Sequence, residues 1–292
     1  MAKPFDYLDD IEINGVAMKT GAFLALSFLG FFWLFSGVAS SEDLSPRAEK
    51  GIPVLAYHRF GPVACDGMTV TTPVFESHLK YLQENGYRVV SLREMVDRHL
   101  YTDLPPDARL VALTADDAHL SVYTSALPLI QKYRVPVTLF IYPSAVSNAS
   151  YAMTWGQLRA LKATGLFDFQ SHTYWHPNFK RERKRLPAAE FKKLVDMQLR
   201  KSREKLEKEL KVKVDLLAWP FGIYDPWLMD RATAAGYRAA FTIERFAVSR
   251  EDPPMALPRY LMVDADRGER FQKIVNGYAI TRKKGNGNGK KG

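Results

Sequence analysis

The chain has 292 residues, 47% of them hydrophobic and 25% charged, a balance that excludes a disordered protein and allows one large α/β domain or two small ones. Its net charge of +9 is uneven: residues 178–213 carry 14 basic and 6 acidic side chains, residues 282–292 add +5, and the rest sums to −4. The body is therefore no basic nucleic-acid scaffold, and a single cysteine, Cys65, excludes an intrachain disulfide and a cysteine metal knuckle. That cysteine reads as a small apolar filler.

In chain order, the polar residues 1–17 read as an upstream extension or a short cytoplasmic tail. Residues 18–41 follow a Met-Lys start with a long apolar run and then small residues, the layout of a secretory signal peptide, although about 20 apolar residues also suffice for a membrane anchor. Either way the rest of the chain is expected outside the cytoplasm: periplasmic, extracellular or membrane-anchored. Residues 42–50 read as a linker, 51–275 as the folded domain, and the Gly/Asn/Lys-rich 276–292 as a disordered basic tail.

From residue 51, short apolar runs alternate with helical periodicity. Strands are expected at 52–58, 87–92, 109–115, 137–143, 166–172, 215–221, 237–243 and 259–263. Helices are expected at 74–86, 121–133, 154–165, 187–210 and 225–236, with Gly86, Gly165 and Gly236 placed as left-handed caps. This alternation predicts a βα barrel or a doubly wound sheet, and no phosphate-binding glycine motif accompanies it. The charged segment 178–213 reads as a solvated helix face, with an anionic membrane surface as a secondary partner.

The strand ends carry the chemistry. His58, the pair Asp116 and Asp117, His172, and Pro220-Phe221 each fall at the C-terminal end of an expected strand, the end where a βα barrel builds its active site. In "SHTYWHP" (171–177) His172 and His176 stand four apart, so one helical turn would let both reach one metal ion. Two histidines and a carboxylate make a recurrent open divalent site, which leaves the neighbouring carboxylate free to act as a base. Turn chemistry explains one Asp after a strand well and two adjacent ones poorly.

Taken together, "LTADDAH" (113–119), "SHTYWHP" and "LLAWPFGIYD" (216–225) resemble the three ordered motifs of the polysaccharide deacetylase family, the NodB-homology group or carbohydrate esterase family 4. "IPVLAYHRFGP" (52–62) resembles the opening strand of its poly-β-1,6-N-acetylglucosamine deacetylase branch, and the resemblance spans about residues 51–263. It implies a distorted (β/α) barrel of about seven or eight strands and metal-dependent removal of N-acetyl groups from a cell-envelope or extracellular polysaccharide. It further implies Asp116 as general base, His58 as the acid that protonates the leaving amine, and Asp117, His172 and His176 as metal ligands. The backbone N–H at Phe221 would hold the oxyanion, and Trp219, Tyr174, Trp175 and His119 are candidates to line the sugar groove. Zn²⁺ is the first choice of metal, with Ni²⁺, Co²⁺ or Fe²⁺ able to use the same ligands. Chitooligosaccharide, peptidoglycan or an O-acetylated glycan remain open as substrates, as does a catalytically weak glycan-binding barrel. The chain departs from the family pattern at Ala115, Ala118 and His119, and Ala118 is harmless there unless its backbone needs a positive φ.

Overall fold

Eight parallel strands in one sheet bring the expected strand ends to one edge of the protein. The computed structural model describes residues 51–101 and 109–276. The leader or anchor at 18–41, the residues on either side of it up to 50, and the basic tail from 277 onward lie outside the described residues. Among the described residues no helix is long and apolar enough to cross a membrane.

The strands are β1 (Val54–Tyr57), β2 (Arg59–Gly61), β3 (Thr69–Thr71), β4 (Arg88–Val90), β5 (Leu110–Asp116), β6 (Val137–Ile141), β7 (Phe167–Ser171), β8 (Leu216–Ala218), β9 (Ala239–Phe241) and β10 (Tyr260–Leu261). The helices are α1 (Thr72–Glu84), α2 (Leu92–Tyr101), α3 (Leu127–Tyr133), α4 (Trp155–Ala163), α5 (Phe179–Arg185), α6 (Ala188–Leu210), α7 (Pro226–Ala234) and α8 (Glu269–Val275). Strand order in the main sheet is β10-β1-β5-β6-β7-β8-β9, with β4 pairing the start of β5, and every pairing is parallel. This curled parallel sheet is the expected distorted (β/α) barrel.

The register explains the two cores. Val54 pairs with Ala112 and Ala56 with Thr114, so alternate residues of neighbouring strands share a face. One face, with Val54, Ala112, Phe140, Leu216, Ala218 and Phe241, packs inside the barrel. The other, with Leu55, Leu113, Leu139, Phe169 and Leu217, packs against the helices. A strand buried on both faces reads as a continuous apolar run, which is why these segments were readable as strands at all.

All eight expected strands form, and Gly86, Gly165 and Gly236 take φ of +70°, +73° and +89° as expected of left-handed caps. Three expectations need correction. The helix expected at 121–133 opens as a π-helical turn (Val122–Ala126), with Leu127 N–H donating to the Val122 carbonyl, because Pro128 lacks the N–H that a regular helix needs. The charged segment 178–213 holds two helices, α5 and α6, separated at Leu186-Pro187. Cys65 is exposed rather than filling a core, on the loop between β2 and β3 that an ion pair from Arg59 to Asp66 closes.

Candidate active site

Asp116 is the last residue of β5, and its parity with Ala112 and Thr114 aims it into the barrel. An extended Asp117 would point the other way. Instead Asp117 and Ala118 take φ of +71° and +54°, so the chain turns sharply at the strand end and both carboxylates face one site. His172 Nε2 lies 3.9 Å from Asp116 Oδ2 and 3.7 Å from Asp117 Oδ1, and His176 Nε2 lies 4.0 Å from Asp117 Oδ1. His58, which follows β1, also reaches this cluster, with Nε2 3.9 Å from Asp116 Oδ2.

The protonation states follow from the partners. His172 Nδ1 lies 2.8 Å from the Ala218 carbonyl, which only accepts, so Nδ1 carries the proton and the Nε2 lone pair faces the carboxylates. Burial, followed by the neighbouring His176, lowers the His172 pKa to about 4, and burial lowers that of His176 to about 4. Both imidazoles are therefore neutral at pH 7, the form that ligates a metal. Asp116 is almost wholly buried; burial pushes its carboxyl pKa up, but the Arg259 charge, aided by His172 and His58, outweighs this and holds it well below the usual carboxylate range.

Arg259 is the residue that sequence reading missed. It precedes β10, is completely buried, and donates to Asp116 through two bonds of 2.8 Å. Its other bonds go to Thr114 Oγ1 (3.1 Å) and the Thr242 carbonyl (3.0 Å), and its guanidinium lies over the Phe140 ring. The one signal for it was a lone arginine inside the apolar run "MALPRYLMV" (255–263), a position that calls for a buried partner.

The donor set fits a divalent ion. One ligand atom each from Asp117, His172 and His176 lies within 4.8 Å of the others, and Asp117 Oδ1 is buried with no hydrogen-bond partner. A buried carboxylate oxygen left without a donor beside two imidazole lone pairs is the arrangement a cation satisfies.

Phe221 sits in the tight turn Pro220–Gly222 after β8, with φ of +56° and its ring centroid 4.5 Å from that of His176. Gly222 is needed there, since a Cβ would come within 2.6 Å of Ile243 Cγ1. Trp175 is 44% exposed beside the site, and Tyr174 is half-buried under the Lys201 ammonium. Trp219 does not line a groove: it is fully buried and its indole N–H donates to the Met255 carbonyl (2.9 Å), because the residue next to β8 on the helix side belongs to the outer core. His119 is tied into the loop, its Nδ1 accepting from Ser121 N–H (3.2 Å) and from the Ser121 hydroxyl (2.8 Å), with its ring nearly parallel to that of Tyr151. Tyr142, after β6, fills the wall between these groups: its ring is 5.3 Å from that of His176 and its hydroxyl 2.5 Å from that of Tyr151.

The family model described as polysaccharide deacetylase matches residues 103–240. The chain is 26% identical over 263 residues to the poly-beta-1,6-N-acetyl-D-glucosamine N-deacetylase of Staphylococcus aureus (strain MSSA476), covering 82% of this chain and 90% of the relative. It is 25% identical over 227 residues to the putative polysaccharide deacetylase YxkH of Bacillus subtilis (strain 168), covering 77% and 76%. Among solved structures, IcaB from Ammonifex degensii superposes with a TM-score of 0.66 at 25% identity, covering 78% of this chain and 98% of that one. The Streptococcus pyogenes deacetylase PplD, solved with acetate, superposes with a TM-score of 0.69 at 22% identity, covering 79% and 99%, and shares the fold.

Proposed function

We propose that this chain, which matches the polysaccharide deacetylase family model over residues 103–240, removes N-acetyl groups from β-1,6-linked N-acetylglucosamine polymers outside the cytoplasm, using a divalent metal held by Asp117, His172 and His176. The observation that carries the reading is the buried, unpartnered Asp117 Oδ1 facing the Nε2 atoms of two neutral histidines. When bound, the ion supplies Lewis acidity to the amide carbonyl and makes its water more acidic.

The chain's own groups do the rest. Asp116, held ionised by Arg259, accepts the proton of the attacking water at a carboxylate oxygen. His58, with Nε2 3.9 Å from Asp116 Oδ2, delivers a proton to the departing amine nitrogen, which leaves as a neutral amine while acetate is released. The backbone N–H of Phe221, whose ring packs on that of His176, donates to the oxygen on which negative charge develops. Tyr174 and Trp175 offer aromatic surface at the mouth for sugar rings.

The test is acetate release from poly-β-1,6-N-acetylglucosamine and chitooligosaccharides, with and without a chelator. The expected result is activity that prefers the β-1,6 polymer, disappears on chelation and returns with Zn²⁺ or Co²⁺. Asp116→Asn and His58→Ala each lose about 10²–10⁴-fold in rate, the range of a general acid or base. Wild-type rates in Asp116→Asn would overturn the assignment of the base, and metal retention without acetate release from any glycan would leave only a binding barrel.

A further inference from the structure

The turn between β7 and α5 carries both histidines of the triad; backbone bonds tie His172 N–H to the Ile141 carbonyl and the Tyr174 carbonyl to Ser144 N–H, and side chains hold the N–H groups that follow His172. Four consecutive N–H groups are satisfied this way. Thr173 N–H donates to Ser171 Oγ (3.2 Å), Tyr174 and Trp175 N–H both donate to Gln198 Oε1 (2.9 and 3.0 Å), and His176 N–H donates to Thr173 Oγ1 (3.2 Å). Thr173 and His176 take φ of +62° and +60°, a conformation that a side-chain-bearing residue keeps only when its surroundings impose it.

Of these clamps, Gln198 alone comes from another element. It lies on α6, and Ser202, one turn later on the same face, meets the Ser171 hydroxyl at 2.8 Å. Gln198 is completely buried, and its Nε2 has no hydrogen-bond partner. Burying an amide with its donor half unsatisfied is costly, so a core position on α6 would be better filled by an apolar residue of the same size. What the position gains is the acceptor: one oxygen that takes two adjacent backbone N–H groups midway between His172 and His176.

We infer that Gln198 is a positioning residue for metal binding, its carbonyl oxygen clamping the Tyr174–Trp175 backbone so that His172 and His176 keep facing Asp117. The side chain touches neither substrate nor metal and acts through the shape of the turn. Its amide nitrogen is dispensable, so a carboxylate at 198 keeps the clamp and a thioether does not. The inference rests on the metal triad proposed above.

The experiment is calorimetric titration of Zn²⁺ into the chelator-stripped full chain, comparing wild type, Gln198→Met, Gln198→Glu and His172→Ala, with circular dichroism to confirm folding. Loss of an outer partner of a ligating histidine weakens metal binding by about 10–100-fold, so Gln198→Met is expected to fall in that range and Gln198→Glu to stay within about threefold of wild type. Unchanged Zn²⁺ affinity in folded Gln198→Met overturns the inference and leaves the triad intact. A wild type that binds no more Zn²⁺ than His172→Ala overturns the triad itself, and the inference with it. If Gln198→Met does not fold, Gln198→Glu decides: retained affinity supports the clamp, and a tenfold loss in the folded variant refutes it.

Discussion

Replacing Arg259 with methionine keeps an unbranched side chain in its slot and removes the partner of the Asp116 carboxylate. Both groups are out of water, with Arg259 0% and Asp116 1% exposed, so solvent cannot take over the lost bonds. Removing one partner of a buried pair costs about 3–5 kcal/mol, a large share of a domain's usual stability of about 5–15 kcal/mol. Thr114 Oγ1 and the Thr242 carbonyl also lose a donor, which places the cost in the upper half of that range. The acid behaviour changes with it. A carboxylate held below its unfolded pKa of about 3.9 contributes stability above that pH, and the contribution is lost as pH falls through the folded value. In Arg259→Met burial still pushes the Asp116 pKa up while the main opposing charge is gone, so the acidic limb of the rate moves to higher pH. Urea unfolding of wild type, Arg259→Met, Asp116→Asn and the double variant at pH 7 forms a double-mutant cycle. The expected coupling is at least about 2 kcal/mol, with the double variant more stable than the sum of the singles implies. Additivity within about 0.5 kcal/mol, the range found for independent sites, would refute the ion-pair account.

His78 on α1 is the second titration test. Its Nε2–H donates to the Asp266 carbonyl (2.5 Å), its Nδ1 accepts from the Tyr57 hydroxyl (3.0 Å), and burial lowers its pKa to about 4. The unfolded chain takes up a proton near pH 6.5 that the folded imidazole refuses, so this residue withdraws stability as pH falls from about 6.5 toward 4, by up to about 3 kcal/mol. In His78→Gln, which can make both hydrogen bonds, denaturant unfolding at pH 5 and pH 7 should differ by less than in wild type; an unchanged difference would contradict the assignment. At Ala118, fully buried with φ of +54°, glycine relieves about 1–2 kcal/mol of backbone strain and gives up one buried methyl worth about 0.8 kcal/mol. Thermal melts should therefore place Ala118→Gly within about 1 kcal/mol of wild type and Ala118→Val well below it, since a branched side chain is least tolerated at positive φ.

The parts of this protein readable from sequence are those written in local pattern. The strands are continuous apolar runs because both faces are buried, and His58, Asp116, Asp117 and His172 stood out as polar residues at the ends of such runs. The short strands β2 and β3 and the helices α2, α5 and α8 escaped because they are brief or polar and draw their order from tertiary contacts. Arg259 and Gln198 escaped for a different reason: each meets its partner 143 and 23–24 residues away in sequence, and nothing beside either residue marks the contact. Trp219 was misplaced because an aromatic residue next to a site motif looks the same in sequence whether it faces the groove or the helices, and the parity of β8 decides it.

Backbone strain is the feature of the site that sequence conceals most fully. Asp117, Ala118, Thr173, His176 and Phe221 all have φ between +54° and +71°, and all five lie in the three turns that hold the triad and its neighbour. At about 1–2 kcal/mol each, somewhat less for Asp, this is a sizeable fraction of the stability of a domain. It is offset elsewhere, by a sheet buried on both faces and by side-chain bonds to the turns, such as those from Ser171 at the end of β7 and from Gln198 on α6. The strain has a geometric purpose at Asp117. Two consecutive residues of a strand diverge, and a left-handed residue at the strand end lets the Asp116 and Asp117 carboxylates face one site. A variant that relaxed Asp117 to an extended conformation would gain backbone stability and lose the triad, so the cost belongs to the site rather than to the fold.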